Sequence, residues 1–227
     1  MSLCSRRKLA RGLLALFLLM SCALLWSQNN AASVSFILDF PGSVPGHYGI
    51  NIASDGHASY VSDGKLSKDS NSDQDYSTNF TISQLLVTKI FDLAKQAHYF
   101  EGNIESKKKN IASTGDKTLM YKDARKDTIT TYNYSSISAV QEITTVFQNL
   151  SATLEFGHRL EYDYHYQKLA LDQDTKAMED AAGRGELIEV QAIAPTLQKI
   201  ADDPSVINVV RARIERLLGH EGAVTKP

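Results

Sequence analysis

The chain has almost no cysteine where a folded domain would use it. Both of its cysteines, Cys4 and Cys22, lie within the first 22 residues of a 227-residue chain. The rest of the sequence therefore contains no thiol, which excludes disulfide bonds, cysteine-ligated zinc and a cysteine nucleophile there. Whatever stabilises the fold or performs its function must use other side chains.

An excess of charge of either sign is also lacking. The 24 basic and 26 acidic residues give a formal net charge of −2, so nothing global attracts nucleic acid or an anionic membrane surface. The lysine run Lys107, Lys108 and Lys109 is too short for a nucleic-acid patch and has no aromatic residues interleaved with it. Nucleic acid is therefore not an expected partner, and the three lysines are interpreted as solvated.

The common catalytic and nucleotide-binding signatures are missing as well. The chain has no G-x-S-x-G, no H-E-x-x-H, no G-x-G-x-x-G and no Walker loop. These absences argue against a serine hydrolase, a zinc protease and a dinucleotide- or nucleotide-binding enzyme of the usual kinds. From the sequence we assign no catalytic, cofactor-binding or metal-binding residue and no cofactor, and the balance leans against an enzyme.

What the sequence does have is an N-terminal export signal, which we assign to residues 1–32. Basic residues precede the apolar run "LLALFLLMSCALLW" and the polar "SQNNAAS", as in a secretory signal peptide; they are Arg6, Arg7, Lys8 and Arg11. The run is short for a bilayer span of roughly 20 residues. We therefore expect an exported protein, periplasmic or extracellular.

Two membrane attachments stay open as alternatives. The order Leu19-Met20-Ser21-Cys22 resembles a lipoprotein box, which would make Cys22 a lipid anchor, and an uncleaved signal would also anchor the chain. The apolar "ALLW" that follows Cys22 favours the interpretation of an ordinary cysteine in an apolar stretch.

Residues 33–153 have the pattern of an α+β domain. Three short strands come first, and the Asp55-Gly56 pair between "HYGINIA" and "HASYVS" is a strong signal for a hairpin turn. Residues 66–79 are polar and predict a long exposed loop. A helix with apolar residues at three- and four-residue spacing starts near Thr81, capped by Thr81 or Ser83. Two strands and a second helix from Ser136 complete the order β-β-β-α-β-β-α of an antiparallel sheet with packed helices.

Residues 154–220 predict a helical extension, followed by a disordered tail at 221–227. Within it, residues 158–171 are open between helix and strand, because "EYDYHY" alternates while its surroundings favour helix. Asp203, Pro204 and Gly219 predict the bounds of the last helix. The extension is too short for a strong core of its own, so we expect it to pack on the sheet domain.

Three groups of side chains are candidates for chemistry. His47, Asp55 and His57 flank the predicted hairpin and could bind a metal, but no third ligand accompanies the histidines, so solvated strand residues are the preferred interpretation. Alternating oxygen ligands in the polar loop resemble a calcium loop; they are Asp69, Asn71, Asp73 and Asp75. That pattern fails where an EF-hand needs glycine and its last glutamate, and a polar loop explains it equally.

The third group is an E-x-x-H pair, Glu155 and His158, with Glu161 and His165 farther along the same helix. Di-iron bundles need matching carboxylates on other helices, and the chain has no second E-x-x-H. The sequence therefore favours exposed helix charges over a metal site.

Residues 33–153 resemble a family of uncharacterised secreted or lipid-anchored bacterial domains. In that family a strand leads to a G-x-C-P-x-Y turn and a "dG-Y" hairpin. The matching residues, besides the helix end "AHYF" and the strand "TGDKTLMY", are Pro45, Tyr48, Asp55, Gly56, Tyr60 and Gly64. The turn reads "GSVPGHY" here and lacks the cysteine. The resemblance implies the fold and export, and it brings no activity with it.

Three functions remain under consideration. The leading hypothesis is a non-enzymatic envelope module that binds another envelope protein or a cell-wall component. The first alternative is an envelope hydrolase that uses a carboxylate pair, such as Asp55 with Glu101 or Asp116. The second is a protein with a weak calcium-binding loop.

We expect mass spectrometry of the exported protein to show a new N-terminus between Gln28 and Ser33, or a diacylglyceryl group on Cys22. The physical reason is the basic segment followed by a short apolar run, which a signal peptidase recognises. Intact Met1 on protein in the soluble cytosol would contradict this prediction.

Overall fold

The structure, a computed structural model, describes residues 31–67 and 75–224. The predicted signal peptide, Cys22 and residues 68–74 of the candidate calcium loop lie outside these ranges. The fold is α+β: an antiparallel six-stranded sheet with an interspersed helix, followed by a helical C-terminal region of four helices. This confirms the fold class expected from the sequence.

Six strands form one sheet in the order β4-β3-β2-β1-β5-β6, and every neighbouring pair is antiparallel. The first four strands follow one another as a meander, and the last two add to the opposite side of β1. The strands are β1 (Ser33–Asp39), β2 (His47–Ala53), β3 (His57–Ser62), β4 (Tyr76–Thr81), β5 (Asp116–Lys122) and β6 (Asp127–Tyr132).

The predicted hairpin turn joins β2 to β3. Gly56 has a φ of 90°, which an L side chain rarely adopts, and the Asp55 carboxylate accepts a hydrogen bond from the backbone N–H of His57 at 3.1 Å. The hairpin therefore forms where the Asp55-Gly56 pair predicts it, because glycine adopts the positive φ and the Asp55 side chain bonds the turn backbone.

Strand β4 was not predicted. The sequence places residues 66–79 in an exposed loop, whereas Tyr76–Thr81 pairs with β3 along its whole length. The segment "YSTNFT" has few apolar residues because it is an edge strand with one mostly exposed face. It becomes a strand because it pairs with β3, and no pattern within the segment itself predicts that pairing.

Five α-helices and two short 3₁₀ turns complete the described chain. The 3₁₀ turns are His98–Phe100 and Val190–Ile193. Residues 158–166, left open between helix and strand, are the last part of a 29-residue helix. The helices are α1 (Gln84–Gln96), α2 (Ser138–Tyr166), α3 (Leu171–Gly183), α4 (Ala194–Asp202) and α5 (Asn208–Val224).

The start of α1 matches one of the two predicted caps. The Ser83 hydroxyl accepts a hydrogen bond from the backbone N–H of Leu86, as an N-cap does. The buried face of α1 runs through Leu86, Ile90 and Leu93, as the apolar spacing predicts. Leu85 belongs to the same apolar pattern but is 82% exposed.

The start of α5 also differs from the prediction. Pro204 lies in a turn closed by a hydrogen bond from the N–H of Val206 to the carbonyl of Asp203 at 3.0 Å. The helix begins only at Asn208 and continues through Gly219 to Val224, into the range expected to be a disordered tail. Gly219 therefore does not end the helix, contrary to the prediction from its position in the sequence.

The helices cover one face of the sheet, and the inward-facing residues of every strand form the core with α1 and the first half of α2. Phe36 on β1 stacks on Phe147 of α2, with ring centroids 5.2 Å apart. Alternation along each strand explains this, since every second side chain of β1 is buried. None of the described helices is both long and apolar enough to cross a membrane.

The second half of α2 carries the helical region. Buried residues of the sheet, of α1 and of all later helices form one hydrophobic cluster. The boundary expected between residues 153 and 154 falls inside α2, which is uninterrupted there. A second contact joins the helical region to the start of α1. The Glu189 carboxylate accepts hydrogen bonds from the N–H and hydroxyl of Ser83 at 3.0 and 2.5 Å. The helical region therefore packs on the sheet domain, chiefly through α2.

Gly157 is where α2 approaches the Val190–Ile193 turn most closely. A Cβ atom at this position would lie 2.5 Å from the Cγ2 atom of Ile193. We expect Gly157→Ala to lower the free energy of unfolding by about 1–3 kcal/mol, because overpacking outweighs the better helix propensity of alanine. Urea unfolding measures this.

Gly183→Ala is the matched control for that measurement. Gly183 also lies in a helix, but a Cβ atom there would meet nothing within 4 Å. Its replacement should leave stability unchanged or raise it by up to about 1 kcal/mol. Equal effects of the two substitutions would show that the close approach at Gly157 does not exist.

Candidate functional site

A cleft of about 260 Å³ lies between the β1–β2 loop and one face of α2. The helix contributes residues that recur every three or four positions, so they form a single stripe along it. The lining consists of Leu38, Ser43, Val44, Pro45, Tyr48, Gln148, Ser151, Ala152, Glu155, Phe156 and Arg159.

The loop wall of the cleft is held by its own hydrogen bonds. The Ser43 hydroxyl lies 2.8 Å from the carbonyl oxygen of Phe40 and 2.6 Å from that of Pro45. The Phe40 N–H donates to the carbonyl of Gly46, and the Gly46 N–H donates to the Asp63 carboxylate at 3.1 Å. The wall opposite α2 therefore has a defined shape, with Pro45 following a cis peptide bond.

Glu155 is the one carboxylate that lines the cleft, and it is almost fully buried, with 8% of the residue exposed. Its Oε1 atom accepts hydrogen bonds from the hydroxyls of Tyr60 at 2.6 Å and Ser62 at 2.8 Å, both on β3. The Tyr60 hydroxyl also contacts the Ser151 hydroxyl at 3.0 Å. A carboxylate on α2 is thus bonded to β3, the strand next to the β4 edge of the sheet.

His158 covers the other oxygen of Glu155. Its Nδ1 atom lies 3.5 Å from Oε2, too far for a well-formed hydrogen bond but close enough for charge attraction when the ring is protonated. The imidazole stacks on Tyr76 of β4, with ring centroids 3.9 Å apart and planes inclined by 5°. The edge strand that the sequence did not predict therefore positions this histidine.

The environment shifts the pKa values of the cleft residues away from neutrality. Burial alone would raise the pKa of Glu155, but His158 and the hydrogen bonds from Tyr60 and Ser62 outweigh it, so that pKa lies below its ordinary value. Burial raises the pKa values of Tyr48 and Tyr60. At neutral pH the glutamate is therefore ionised and the tyrosines keep their protons.

Arg159 lies one helical turn beyond Glu155. Its side chain is 35% exposed and rests over the Phe156 ring, 5.6 Å from the centroid. Its Nε atom is buried and has no hydrogen-bond partner among the described residues. The nearest carboxylate oxygen, Oδ1 of Asp174, is 3.8 Å from Nη1, beyond hydrogen-bonding distance.

Two other buried cations differ from Arg159 in their hydrogen bonds. The Lys117 amine donates to Thr114, to the Gly115 carbonyl and to the Asn133 carbonyl at 2.8 to 3.1 Å. Arg213 donates to its neighbours on α3, namely Asp172, Thr175 and Glu179. Both are bonded to several acceptors of the fold, whereas the Nε atoms of Arg159 and Arg211 have none among the described residues.

Asp163 and Asp174 form an acidic pair behind Arg159. Asp163 is 4% exposed, and its Oδ2 atom has no hydrogen-bond partner among the described residues. Burial, together with the hydrogen bond and charge of Asp174, raises the pKa of Asp163 from its ordinary value of 3.8 to about 7. Near neutral pH this pair therefore holds a proton, which limits the negative charge next to the guanidinium.

Most of the sequence-derived candidates do not come together. His47 and His57 lie at opposite ends of the β2–β3 hairpin, roughly 20 Å apart at the rise of a strand. His47 contacts Asp39 at 2.5 Å on the surface, and Asp55 lies in the turn beside His57. No group of three metal-ligating side chains exists in the part of the chain that the structure describes.

Two of the carboxylates considered for a hydrolase are separated. Asp116 pairs with the Asp39 end of β1, whereas Asp55 lies beyond the opposite end of that strand. Asp55 and Asp116 therefore form no carboxylate dyad. The third, Glu101, forms an ion pair with Lys126.

The E-x-x-H helix gives a mixed result. Glu161 and His165 are about 40–46% exposed, and Glu161 accepts a hydrogen bond from Lys199 at 2.8 Å, as expected of solvated helix charges. For Glu155 that interpretation is wrong, because its side chain turns into the core toward β3.

The lysine run Lys107, Lys108 and Lys109 is exposed. The candidate calcium ligands Asp69, Asn71 and Asp73 lie outside the described residues.

Sequence reasoning missed the residues that line the cleft. One signal was present: polar residues recur along one face of α2 at Gln148, Ser151, Glu155 and Arg159, inside a helix whose apolar stripe was recognised. A polar stripe on a helix ordinarily faces solvent, so this signal marks a surface of α2 and not the loop that covers it. The loop that lies opposite this stripe, between β1 and β2, is brought there only by the tertiary structure.

Comparison with known proteins finds no family model that matches the chain and no significant match among curated proteins. The resemblance to secreted or lipid-anchored bacterial domains therefore stays a prediction.

The Asp163–Asp174 pair predicts a pH dependence of stability. An acid whose pKa is raised in the folded state binds protons that the unfolded chain loses, so stability should fall as pH rises from about 4 to about 7. We expect the wild type to lose stability relative to Asp163→Asn over this range in urea unfolding. The exposed Asp180→Asn is the control. A wild-type minus Asp163→Asn difference that stays constant with pH would contradict the shared proton.

Proposed function

We propose that the protein is an exported, non-enzymatic binding module of the bacterial envelope and that the cleft between the β1–β2 loop and α2 is its binding site. Export is supported by the basic and apolar segment within residues 1–32. The partner is another envelope protein or a cell-wall component, and the cleft takes a small exposed part of it.

The state of Glu155 is the observation that carries this proposal. A general acid or base works best with a pKa near the operating pH and with a free proton or lone pair directed at the substrate. Glu155 is held ionised, with Oε1 occupied by Tyr60 and Ser62. Its arrangement stabilises the contact between α2 and the sheet and offers little to proton transfer.

The rest of the cleft has the composition of a binding site. Apolar side chains form its walls, among them Val44, Pro45 and Phe156, and a few polar groups lie between them. Ligand sites usually combine such walls with a small number of placed polar groups. Arg159 supplies a cation whose Nε atom has no hydrogen-bond partner among the described residues.

The hydrolase alternative has less support. Glycoside hydrolysis needs two carboxyl groups roughly 5–10 Å apart across the substrate, and Glu155 is the single carboxylate among the lining residues. The calcium alternative depends on residues 68–74, outside the described part of the chain, and stays a prediction.

Blocking the cleft tests the proposal. Ala152 lies on its α2 wall, so Ala152→Phe should fill the space, whereas the exposed Ala212 on α5 allows the same substitution outside it. We expect envelope proteins or wall fragments captured by the wild-type chain to be retained by Ala212→Phe and lost with Ala152→Phe. Quantitative mass spectrometry of the captured material measures this.

Equal capture by both variants, with both folded, would show that the cleft is not the binding site. Release of soluble fragments from purified cell wall by the wild type, abolished by Glu155→Gln, would establish the hydrolase instead.

A further inference from the structure

We infer that the ligand of the cleft is the free carboxyl end of a short extended peptide, held by the guanidinium of Arg159. This rests on the proposed function, because it names the chemistry of the group that the binding module takes up.

The first argument is the unsatisfied guanidinium. An arginine offers five N–H donors in a planar fork that matches a carboxylate, and a half-buried one normally finds acceptors. The Nε atom of Arg159 has no hydrogen-bond partner among the described residues, and Nη1 is 3.8 Å from Oδ1 of Asp174, although the side chain is mostly buried and fixed over Phe156. The fold therefore pairs this cation only loosely with Asp174, and a carboxylate on the ligand supplies the bidentate hydrogen bonds that Asp174 does not form.

The second argument is size. A pocket for a drug-sized molecule measures roughly 300–1,000 Å³, and this cleft has about 260 Å³. Along α2 it extends from Gln148 to Arg159, which is roughly 16 Å at the rise of a helix. Four or five extended residues span about that length. The lining along α2 therefore has the length of a short extended peptide end.

The third argument is the order of chemical groups along the cleft. Arg159 lies at one end, and the ionised Glu155 and the Ser151 hydroxyl follow toward Gln148. A peptide whose carboxylate binds Arg159 extends toward Gln148, whose side-chain carbonyl can accept a hydrogen bond from a peptide N–H. Pro45 and Val44 on the opposite wall provide apolar contact for its side chains.

Asp174 modulates the affinity of Arg159 for a ligand carboxylate. Its Oδ1 atom is 3.8 Å from Nη1 of Arg159 and is the only carboxylate oxygen within 4 Å of that guanidinium among the described residues. It competes weakly with a ligand carboxylate for the same cation. Removing its charge should therefore strengthen ligand binding, the opposite of what removing Arg159 does.

The experiment is an NMR titration of the purified, nitrogen-15-labelled full chain with three probes. They are N-acetyl-L-alanyl-L-alanine, its C-terminal amide, and the D,D isomer of the acid. The amide keeps shape and hydrogen bonding but lacks the charge. The two isomers separate the sources of a peptide carboxylate: the L,L probe stands for a protein C-terminus and the D,D probe for a wall peptide.

We expect at least one acid to bind about tenfold to a hundredfold more tightly than the amide, as for a charge-assisted bidentate hydrogen bond. Arg159→Gln should reduce the affinity for the acid to that for the amide, and Asp174→Asn should increase it severalfold. Arg125→Gln, an exposed arginine outside the cleft, makes the same charge change and should leave the affinity unchanged.

Two outcomes overturn the inference. If acid and amide bind equally, or Arg159→Gln binds as the wild type does, the carboxylate is not recognised; sensitivity of that binding to Ala152→Phe would still uphold the cleft as a binding site. If none of the probes binds at about 10 mM, the ligand class is wrong. In that case the capture experiment decides the proposed function separately.

Discussion

The buried carboxylate of Glu155 determines how the long helix α2 lies on the sheet. A charged group inside a protein is tolerated only when hydrogen bonds replace its hydration, and leaving such a group unsatisfied costs about 1–3 kcal/mol or more. Tyr60 and Ser62 meet that need from β3, 95 and 93 positions away in the chain, respectively. Because both donors contact a single oxygen atom, α2 cannot rotate or slide along the sheet without losing them. The helix therefore has one register, and the stacking of Phe36 on Phe147 agrees with it two turns earlier.

That register also joins the two parts of the molecule. The first half of α2 packs on the sheet and on α1, and its second half supports α3 and α4. Gly157 allows the Val190–Ile193 turn to approach the helix closely, and Glu189, just before that turn, is bonded to Ser83 at the start of α1. The helical region is therefore attached to α2 at Gly157 and to the start of α1 at Ser83. A shift of α2 would disturb both contacts.

The distribution of satisfied and unsatisfied charges separates structural from functional groups. Lys117, Arg213 and Glu155 are buried, and each is surrounded by partners from the fold itself. Arg159 lies over Phe156, and its Nε atom has no acceptor among the described residues. Natural proteins pair most buried polar groups with protein or water, so an unpaired one in the wall of a cleft calls for an explanation. The cleft combines this cation with a hydrogen-bonded loop and apolar walls, and the proposed binding site rests on that combination.

The sequence alone determined the fold class, the β2–β3 hairpin and the cap of α1, because hydrophobic periodicity and turn residues such as Asp55 and Gly56 act over a few neighbouring positions. It did not determine β4, which is a strand only because β3 offers it a free edge. It misplaced the start of α5, where the turn at Pro204 has the residues of a helix start but a different chain path. It also mistook Glu155 for a solvated charge, since Glu155 and Glu161 look alike in a helical pattern and differ only in what packs against them. The tertiary structure decided the cleft and the unpaired Arg159, because both depend on contacts between residues far apart in the chain, and such contacts leave no local signal.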